Sequence, residues 1–296
     1  MASETASPTV NSPSSTPTQA PVEKPSTPPV NILPSPTARI YSLVHPALLL
    51  TLCTLRFEAL VADPIRELLA DLPWLAFLQI TYVLICLPPA GTTPTEASFP
   101  APTDGEDKKK TPPRSPSGPG VTLRPGKPGL RRKQLAGKHD FAGVWAKLMP
   151  AFLSLSLTFL LATPILAVLL VLFGAPLTTH NPETVLCAAH IALLCATALV
   201  YVHGVDGYVW KEVWGISRPA DAVWGSALGT GLGAWFGAIP IPLDWDRPWQ
   251  AFPITILVGA YIGYAVGSLL SRTPLLYGKR IQFTPVEDEE GEKKTN

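Results

Sequence analysis

Charged residues are scarce in this sequence: they make up 15% of its 296 residues, whereas hydrophobic residues make up 47%. Long stretches of the chain are nevertheless polar, so the apolar residues must be concentrated in blocks. The charges are likewise segregated, so the net charge of +1 gives little information about partners.

Cysteine is also scarce, with four in the whole sequence: Cys53, Cys86, Cys187 and Cys195. All four lie inside apolar runs rather than in the close pairs typical of zinc sites or of a disulfide framework. We interpret them as small buried hydrophobic residues.

The residue patterns that usually mark a catalytic site are missing. The sequence contains no HExxH motif, no cluster of His and Asp ligands and no nucleophile with an attendant base. A transporter would be expected to show broken helices in matching halves, and only Thr163-Pro164 indicates such a break. We therefore expect no catalytic residue, no metal and no cofactor in this chain.

Six apolar runs are present, each long enough to cross a hydrocarbon core that needs about 20 helical residues. They cover residues 42–62, 71–90, 148–173, 184–202, 222–240 and 252–270. Because lipid offers backbone groups no water partner, these segments should be helical. The sequence predicts an all-α integral membrane protein with six transmembrane helices.

The polar segments complete a prediction of five regions. Residues 1–40 and 91–140 are rich in Pro, Ser, Gly or Lys and are expected to be disordered, the first as a cytosolic tail and the second as a basic cytosolic loop. Residues 41–90 form a hairpin of helices 1 and 2, residues 141–272 a four-helix membrane portion, and residues 273–296 a second cytosolic tail. No apolar signal-peptide core precedes the first run, so helix 1 is expected to direct its own insertion. The basic loop favours contact with anionic lipid headgroups, or topological bias, over nucleic-acid binding.

The distribution of basic residues predicts the orientation. With six spans, 20 of the 23 Lys and Arg residues fall on one face and two, Arg66 and Arg247, on the other. The positive-inside rule then places both termini in the cytosol. The sequence ends in KKTN, so Lys293 and Lys294 match the dilysine retrieval signal of endoplasmic reticulum membrane proteins. Because the C-terminus is polar, we expect no GPI-attachment signal on this chain.

Glycine recurs every four residues in the last two runs. The positions are Gly225, Gly229, Gly233 and Gly237 in the fifth run and Gly259, Gly263 and Gly267 in the sixth. On a helix this spacing gives one face without side chains, so another helix can approach closely. Either the two runs pack together as an antiparallel hairpin, or one of these faces receives a helix from a partner.

Between these runs lies a short segment, IPIPLDWDRPWQAFP, that faces the lumen in this topology. Its conspicuous residues, together with the tryptophan that precedes it, are Trp235, Asp244, Trp245, Asp246, Arg247, Pro248 and Trp249. Three interpretations remain open: a structural corner with internal ion pairs, a contact with a partner or a lipid headgroup, and a metal site formed by the D-x-D pattern. The arginine can pair with either carboxylate or bind a phosphate.

Ionisable residues inside apolar runs are functional candidates by default. Arg56 and Glu58 point to different helix faces, so each is expected to find a neighbour on another helix. We interpret His190 as a histidine satisfied by a contact between helices.

The stretch WFGAIPIPLDWDRPWQAFPI (235–254), preceded by DAVWGSALGTGLGAW and followed by GAYIGYAVGSLL, resembles the PIG-F family of GPI-anchor biosynthesis proteins, of which the chain looks like a fungal-type member. The match is close over residues 220–270. The resemblance implies a non-catalytic subunit of the endoplasmic reticulum membrane that binds and stabilises the large multi-pass transferases that add ethanolamine phosphate to mannoses of the GPI glycolipid. It also implies that the catalytic metal and lumenal domain belong to that partner. Two alternatives stay open: an ethanolamine phosphate transferase in its own right, using Asp244 and Asp246 with a metal, and a lipid transporter.

Overall fold

The computed structural model describes residues 27–91, 139–176, 178–243 and 247–281. Every regular element in these ranges is helical. The helices are α1 Pro36–Leu55, α2 Phe57–Ala62, α3 Pro64–Cys86, α4 His139–Leu157, α5 Thr163–Leu172, α6 Asn181–His203, α7 Gly207–Trp214, α8 Ala222–Ala238 and α9 Ile254–Leu270. The predicted all-α class is confirmed for the described residues, and each of the six apolar runs is helical over most of its length.

Among the described residues, four helical segments are long and apolar enough to cross a membrane: α1, α3, the continuous Gly143–Leu172 and α6. α8 and α9 have 17 residues each, and of these two only α9 counts as a shorter apolar helix. Prolines limit both, because Pro240 and Pro242 follow α8 and Pro253 precedes α9, and proline interrupts a continuing helix. The structure therefore supports four candidate spans, and the prediction of six spans with cytosolic termini stays a prediction.

The first helix begins at Pro36, inside the segment predicted to be a disordered tail. The Ser35 hydroxyl accepts a hydrogen bond from the Ala38 N–H at 3.2 Å, and Pro36 occupies a position where its missing N–H costs nothing. The preceding residues 27–35 lack regular structure but contact the helices, with the Leu33 N–H donating to the Cys86 carbonyl at 2.9 Å. The body of the protein thus begins at least as early as residue 27, not after residue 40.

The other segments predicted to be disordered fall mainly outside the described residues. Residues 1–26 and 92–138 are not described, so their disorder stays a prediction. Residues 282–296 of the second cytosolic tail are not described either, and the retrieval signal at Lys293 and Lys294 likewise stays a prediction.

The third apolar run forms one long helix with a local irregularity instead of a break. A π-helical turn, Thr158–Ala162, joins α4 to α5 just before Pro164. Proline cannot donate to the carbonyl one turn earlier, and a wider turn accommodates its ring. The Thr163 hydroxyl donates to the Thr158 carbonyl at 3.1 Å, so an acceptor inside the turn is satisfied.

The centre of the bundle is α6, which contacts α3, α4, α5, α8 and α9. Many of its buried residues are small, including Ala188, Ala192 and Ala198, and small side chains let neighbouring helices approach. The Ser154 hydroxyl of α4 donates to the Thr197 carbonyl of α6 at 2.5 Å. α8 and α9 pack on one side of α6 as an antiparallel pair.

Candidate functional site: a glycine-packed hairpin

Two facing rows of glycine hold the α8–α9 hairpin together. The first row is Gly225, Gly229, Gly233 and Gly237, and the second is Gly259, Gly263 and Gly267. A Cβ atom added at any of these positions would come within 3.0 Å of the other helix or of the residues at its ends, a distance that real Cβ atoms essentially never show. At every position except Gly225, which faces the Ser271 side chain, the nearest atoms are backbone, so the two helix backbones touch there with no side chain between them.

The sequence left open whether the two glycine faces pack against each other or one receives a helix from a partner, and in the structure they pack against each other. The oxygen nearest to a Cβ built at Gly233 is the Gly259 carbonyl oxygen, and the reverse holds for Gly259. Such close approach increases dispersion contacts between backbones and allows Cα–H···O contacts. Since each glycine face is covered by the other, neither is available to a partner helix while the hairpin stays closed.

The outward surface of α8 is apolar and exposed. Leu232, Trp235, Phe236 and Ile239 are each at least 47% exposed, and the Trp235 ring packs edge-on against Phe236 with centroids 4.9 Å apart. Gly231 also lies on this side, with no atom within 4 Å of an added Cβ. Within the hairpin, this is the α8 surface that lipid or a partner would meet.

At one end of the hairpin the chain turns through the corner, defined as residues 239–253. Two 3₁₀ turns, Ile241–Leu243 and Pro248–Gln250, flank Asp244, Trp245 and Asp246, which lie outside the described residues. The Gln250 amide donates to the Pro240 carbonyl at 3.3 Å and so ties the two sides of the corner together.

The described residues at the tip of the corner are exposed. The side chains of Arg247, Pro248 and Trp249 are all exposed. The Phe252–Pro253 peptide bond, at the end of the corner, is cis. Of the residues singled out from the sequence at this end of the hairpin, the structure thus describes Trp235, Arg247, Pro248 and Trp249.

At the opposite end, three buried charged residues form the base cluster: Glu212, Arg218 and Asp221. The Asp221 carboxylate begins α8 by accepting hydrogen bonds from the backbone N–H groups of Val223 at 2.9 Å and Trp224 at 2.8 Å. The Arg218 guanidinium lies 3.6 Å from Asp221 Oδ2 and 4.0 Å from Glu212 Oε2. Burying a charged side chain costs free energy unless the charge is paired. The need to keep Arg218 close to both carboxylates therefore restrains the backbone that carries these three residues.

The electrostatics of the base cluster follow from its burial. Loss of water lowers the pKa of Arg218, an effect that Asp221 and Glu212 oppose. Loss of water raises the pKa of the Asp221 carboxyl, while hydrogen bonds from the Trp224 and Val30 backbones and the charge of Arg218 act in the other direction.

The chain around the base cluster is firmly held. The Ala220 N–H donates to the Lys279 carbonyl and its carbonyl accepts from the Gly278 N–H, both at 2.8 Å, so the segments that precede α8 and follow α9 are joined. Ile216 has a φ of 53°, a conformation that is unfavourable for a β-branched residue and persists only when its surroundings impose it.

Sequence reasoning missed the base cluster as a functional element. Asp221 directly before an apolar run is a recognisable helix-start signal. No local pattern indicates that Arg218 is buried, or that the Val30 N–H, 191 residues from Asp221, donates to Asp221 Oδ2 at 3.0 Å.

The ionisable residues predicted inside the membrane have two outcomes. Arg56 pairs with Glu67 and, at 3.5 Å, with Asp71, so its expected neighbour lies on another helix, α3. The prediction for His190 is wrong: its Nδ1–H donates to the Leu186 carbonyl of its own helix at 2.9 Å, and its Nε2 has no hydrogen-bond partner among the described residues.

A second histidine joins three helices. His45 of α1 stacks on Tyr82 of α3, with ring centroids 4.5 Å apart, and contacts the Tyr264 hydroxyl of α9 at 3.3 Å through Nδ1. Nearby, Arg272 donates to the hydroxyls of Ser42 at 3.0 Å and Ser268 at 3.1 Å. The contacts of Tyr264 with His45 and of Arg272 with Ser42 attach α9 and the chain after it to α1.

The described residues offer no ready metal site: none of their His, Cys, Asp and Glu side chains form a group of three that could hold an ion. The four cysteines are free, and Cys86 and Cys187 are fully buried.

Comparison with known proteins gives a consistent assignment. Residues 44–272 match the model of the GPI biosynthesis protein family Pig-F. A glycosylphosphatidylinositol anchor biosynthesis protein 11 from Aspergillus fumigatus is 60% identical over 96% of this chain and 95% of its own length. The protein of the same name from Neurospora crassa is 41% identical over 85% of this chain and 80% of its own length. A human protein named GPI ethanolamine phosphate transferase, stabilizing subunit, is 33% identical over 53% of this chain and 70% of its own length. No solved structure matches the chain.

Proposed function

The chain belongs to the GPI biosynthesis protein family Pig-F, and on that premise we propose that it is a non-catalytic subunit of the endoplasmic reticulum membrane that binds and stabilises the ethanolamine phosphate transferases of GPI-anchor biosynthesis. In this proposal the large multi-pass catalytic subunit supplies the active site and its metal. The present chain acts on that subunit before the finished anchor is transferred to protein.

The observation that carries this proposal is the closed glycine-packed hairpin. Its inner faces are fully occupied by backbone contacts, so the hairpin is a stiff element whose outer side presents large apolar groups such as Trp235 and Phe236. A stiff apolar surface suits association with another membrane protein, because little flexibility is lost on binding. The name of the human relative, which describes a stabilising subunit, supports the same role.

The membrane topology is part of the proposal. At about 1.5 Å per residue, α8 and α9 are each about 25 Å long, which suits a short span with anchoring residues at its ends. Exposed Trp235 and Trp249 near the corner have the ring and N–H donor favoured at a membrane interface. We propose six spans, with residues 141–272 as the four-helix portion, the corner in the lumen and both tails in the cytosol, where Lys293 and Lys294 act as a retrieval signal.

Depletion of the protein tests the stabilising role. We expect a GPI intermediate that lacks a mannose-linked ethanolamine phosphate to accumulate, and the abundance of a catalytic transferase to fall in parallel, measured by lipid mass spectrometry and immunoblotting. Normal transferase abundance together with blocked transfer would contradict stabilisation and favour a direct role.

Point changes in the corner test the non-catalytic assignment. Asp244→Asn and Asp246→Asn each remove a carboxylate charge and nearly keep the side-chain shape. If the corner contacts a partner, at least one variant should restore anchor synthesis in depleted cells. Loss of function in both variants, with normal protein and partner abundance, would support a metal site instead.

A further inference from the structure

The segment that precedes α1 crosses the base of the hairpin. We define this strap as residues 27–33. The Thr27 hydroxyl donates to the Glu212 carboxylate, and the Val30 N–H donates to Asp221 Oδ2 at 3.0 Å. The Tyr277 hydroxyl donates to Asn31 Oδ1, so the strap also contacts the segment that follows α9. One extended piece of chain therefore connects α7, the start of α8 and the chain beyond α9.

The strap rests on buried charges, of which the negative ones outnumber the positive one. Arg218 and Asp221 are fully buried, and Glu212 is 8% exposed. No guanidinium nitrogen of Arg218 has a hydrogen-bond partner among the described residues, although two carboxylates lie within 4.0 Å. The base cluster thus contains two negative charges and one positive charge, with the exposed Arg280 near enough to affect Arg218.

Thr27 is the residue of the strap whose side chain carries a hydroxyl, the group that protein kinases phosphorylate. It is partly exposed, lies in a segment without regular structure and is followed by Pro28. An extended Ser/Thr-Pro dipeptide is the substrate form that proline-directed protein kinases accept. The same hydroxyl is the hydrogen-bond donor that satisfies Glu212.

We propose that Thr27 is a phosphorylation site and that its phosphorylation releases the strap from the base of the hairpin. Thr27 Oγ1 attacks the γ-phosphorus of a nucleoside triphosphate bound to the kinase. The Oγ1–P bond forms, the bond from that phosphorus to the β,γ-bridging oxygen breaks, the nucleoside diphosphate leaves, and the hydroxyl proton passes to the kinase base.

The direction of the effect follows from charge and hydrogen bonding. The modified side chain has no donor left for Glu212 and brings a charge of about −1.5 to −2 next to two carboxylates. Arg218 cannot offset this charge alone, because it already lies between Glu212 and Asp221. A kinase acts on the strap when it is detached, and the modified strap then binds the base poorly, so modification traps the open form.

Labelling of an introduced cysteine measures strap release in the full-length purified protein. Ile32→Cys places a thiol on the strap at a position that packs against the core. Its rate of reaction with a water-soluble maleimide, followed by mass spectrometry, should rise about tenfold or more after phosphorylation by a proline-directed kinase, and likewise in Thr27→Glu. Thr37→Glu is the matched control, since it adds the same charge to exposed α1 and should leave the rate unchanged.

Two further results decide the mechanism. Adding Glu212→Gln to Thr27→Glu should bring the rate back towards that of the unmodified protein, because the main repulsion is removed. An unchanged or slower rate after Thr27 phosphorylation would overturn release of the strap, and failure of the kinase to modify Thr27 while it modifies other Ser/Thr-Pro sites would overturn the phosphorylation site. The experiment needs no partner protein, so its failure would leave the stabilising role untouched; only access by a cytosolic kinase depends on the proposed topology.

Discussion

Replacement of Gly233 by alanine tests directly whether the glycine rows set the stability of the hairpin. A Cβ built at this position lies 2.8 Å from the Gly263 Cα and nearer still to the Gly259 carbonyl oxygen. Ordinary contact begins at 3.4 Å, so the helices must separate by at least 0.6 Å at this level. Neither obstacle is a flexible side chain, so the strain cannot be relieved by a change of rotamer.

The expected cost follows from that separation. Overpacking of a close interface costs about 1–3 kcal/mol. A gap of this size also removes roughly a quarter to a half of the dispersion energy of each contact at neighbouring levels of the interface. We expect Gly233→Ala to lower the free energy of unfolding by about 2–3 kcal/mol and, under the proposed function, to reduce co-purification of a transferase.

Gly231→Ala provides a matched control on the same helix. An added Cβ meets no atom within 4 Å there, and both substitutions change helix propensity alike. Thermal unfolding of the two purified variants in the same detergent should differ by at least about 2 kcal/mol. Equal stability of Gly233→Ala and Gly231→Ala would refute the argument that backbone contact holds the hairpin closed.

Three further substitutions test other contacts by thermal unfolding. Asp221→Ala should lower the free energy of unfolding by about 2–4 kcal/mol, because it removes the cap of α8 and a charge partner of buried Arg218. Asp221→Asn keeps an acceptor for the cap and should lower it less, and equal losses in the two variants would contradict the capping role. His190→Leu should be neutral or stabilising, because a buried nitrogen without a partner among the described residues is removed; a loss above about 2 kcal/mol would indicate an interaction that this reasoning omits. Arg56→Gln should cost only about 1 kcal/mol, because the Arg56 side chain is 40% exposed and solvent screens its pairing with Glu67. A double-mutant cycle with Glu67→Gln measures the coupling energy of this pair, and a coupling above about 2 kcal/mol would contradict the screening.

Much of the helical framework could be predicted from the sequence because its causes are local. Long apolar runs identify the six segments that become helices, and four-residue glycine spacing identifies the faces that meet in the hairpin. Helix ends were harder to predict, since apolarity locates the lipid-facing part while capping decides where the helix starts. Ser35 and Pro36 extend α1 beyond its apolar run, and the π-helical turn before Pro164 keeps a helix continuous where proline alone indicated a break.

The part of the candidate site that escaped prediction depends on contacts between distant residues. Thr27 and Glu212 are 185 positions apart, and Tyr277 contacts Asn31 across 246 positions. No periodicity or local motif encodes such pairs. The amphipathic α7 was missed for a different reason: with eight residues it is too short to register as an apolar run.

The facing glycines also bear on how the hairpin enters a membrane during synthesis. α8 carries five glycines and two tryptophans in 17 residues and does not meet the apolarity of the candidate spans. A face of glycines offers lipid no apolar side chains, so α8 alone gains little from entering the bilayer. α9 covers that face, and the two helices are consecutive in the chain. In the proposed topology, α8 therefore integrates stably only once α9 has been made, so truncation of the chain inside α9 should leave α8 outside the bilayer.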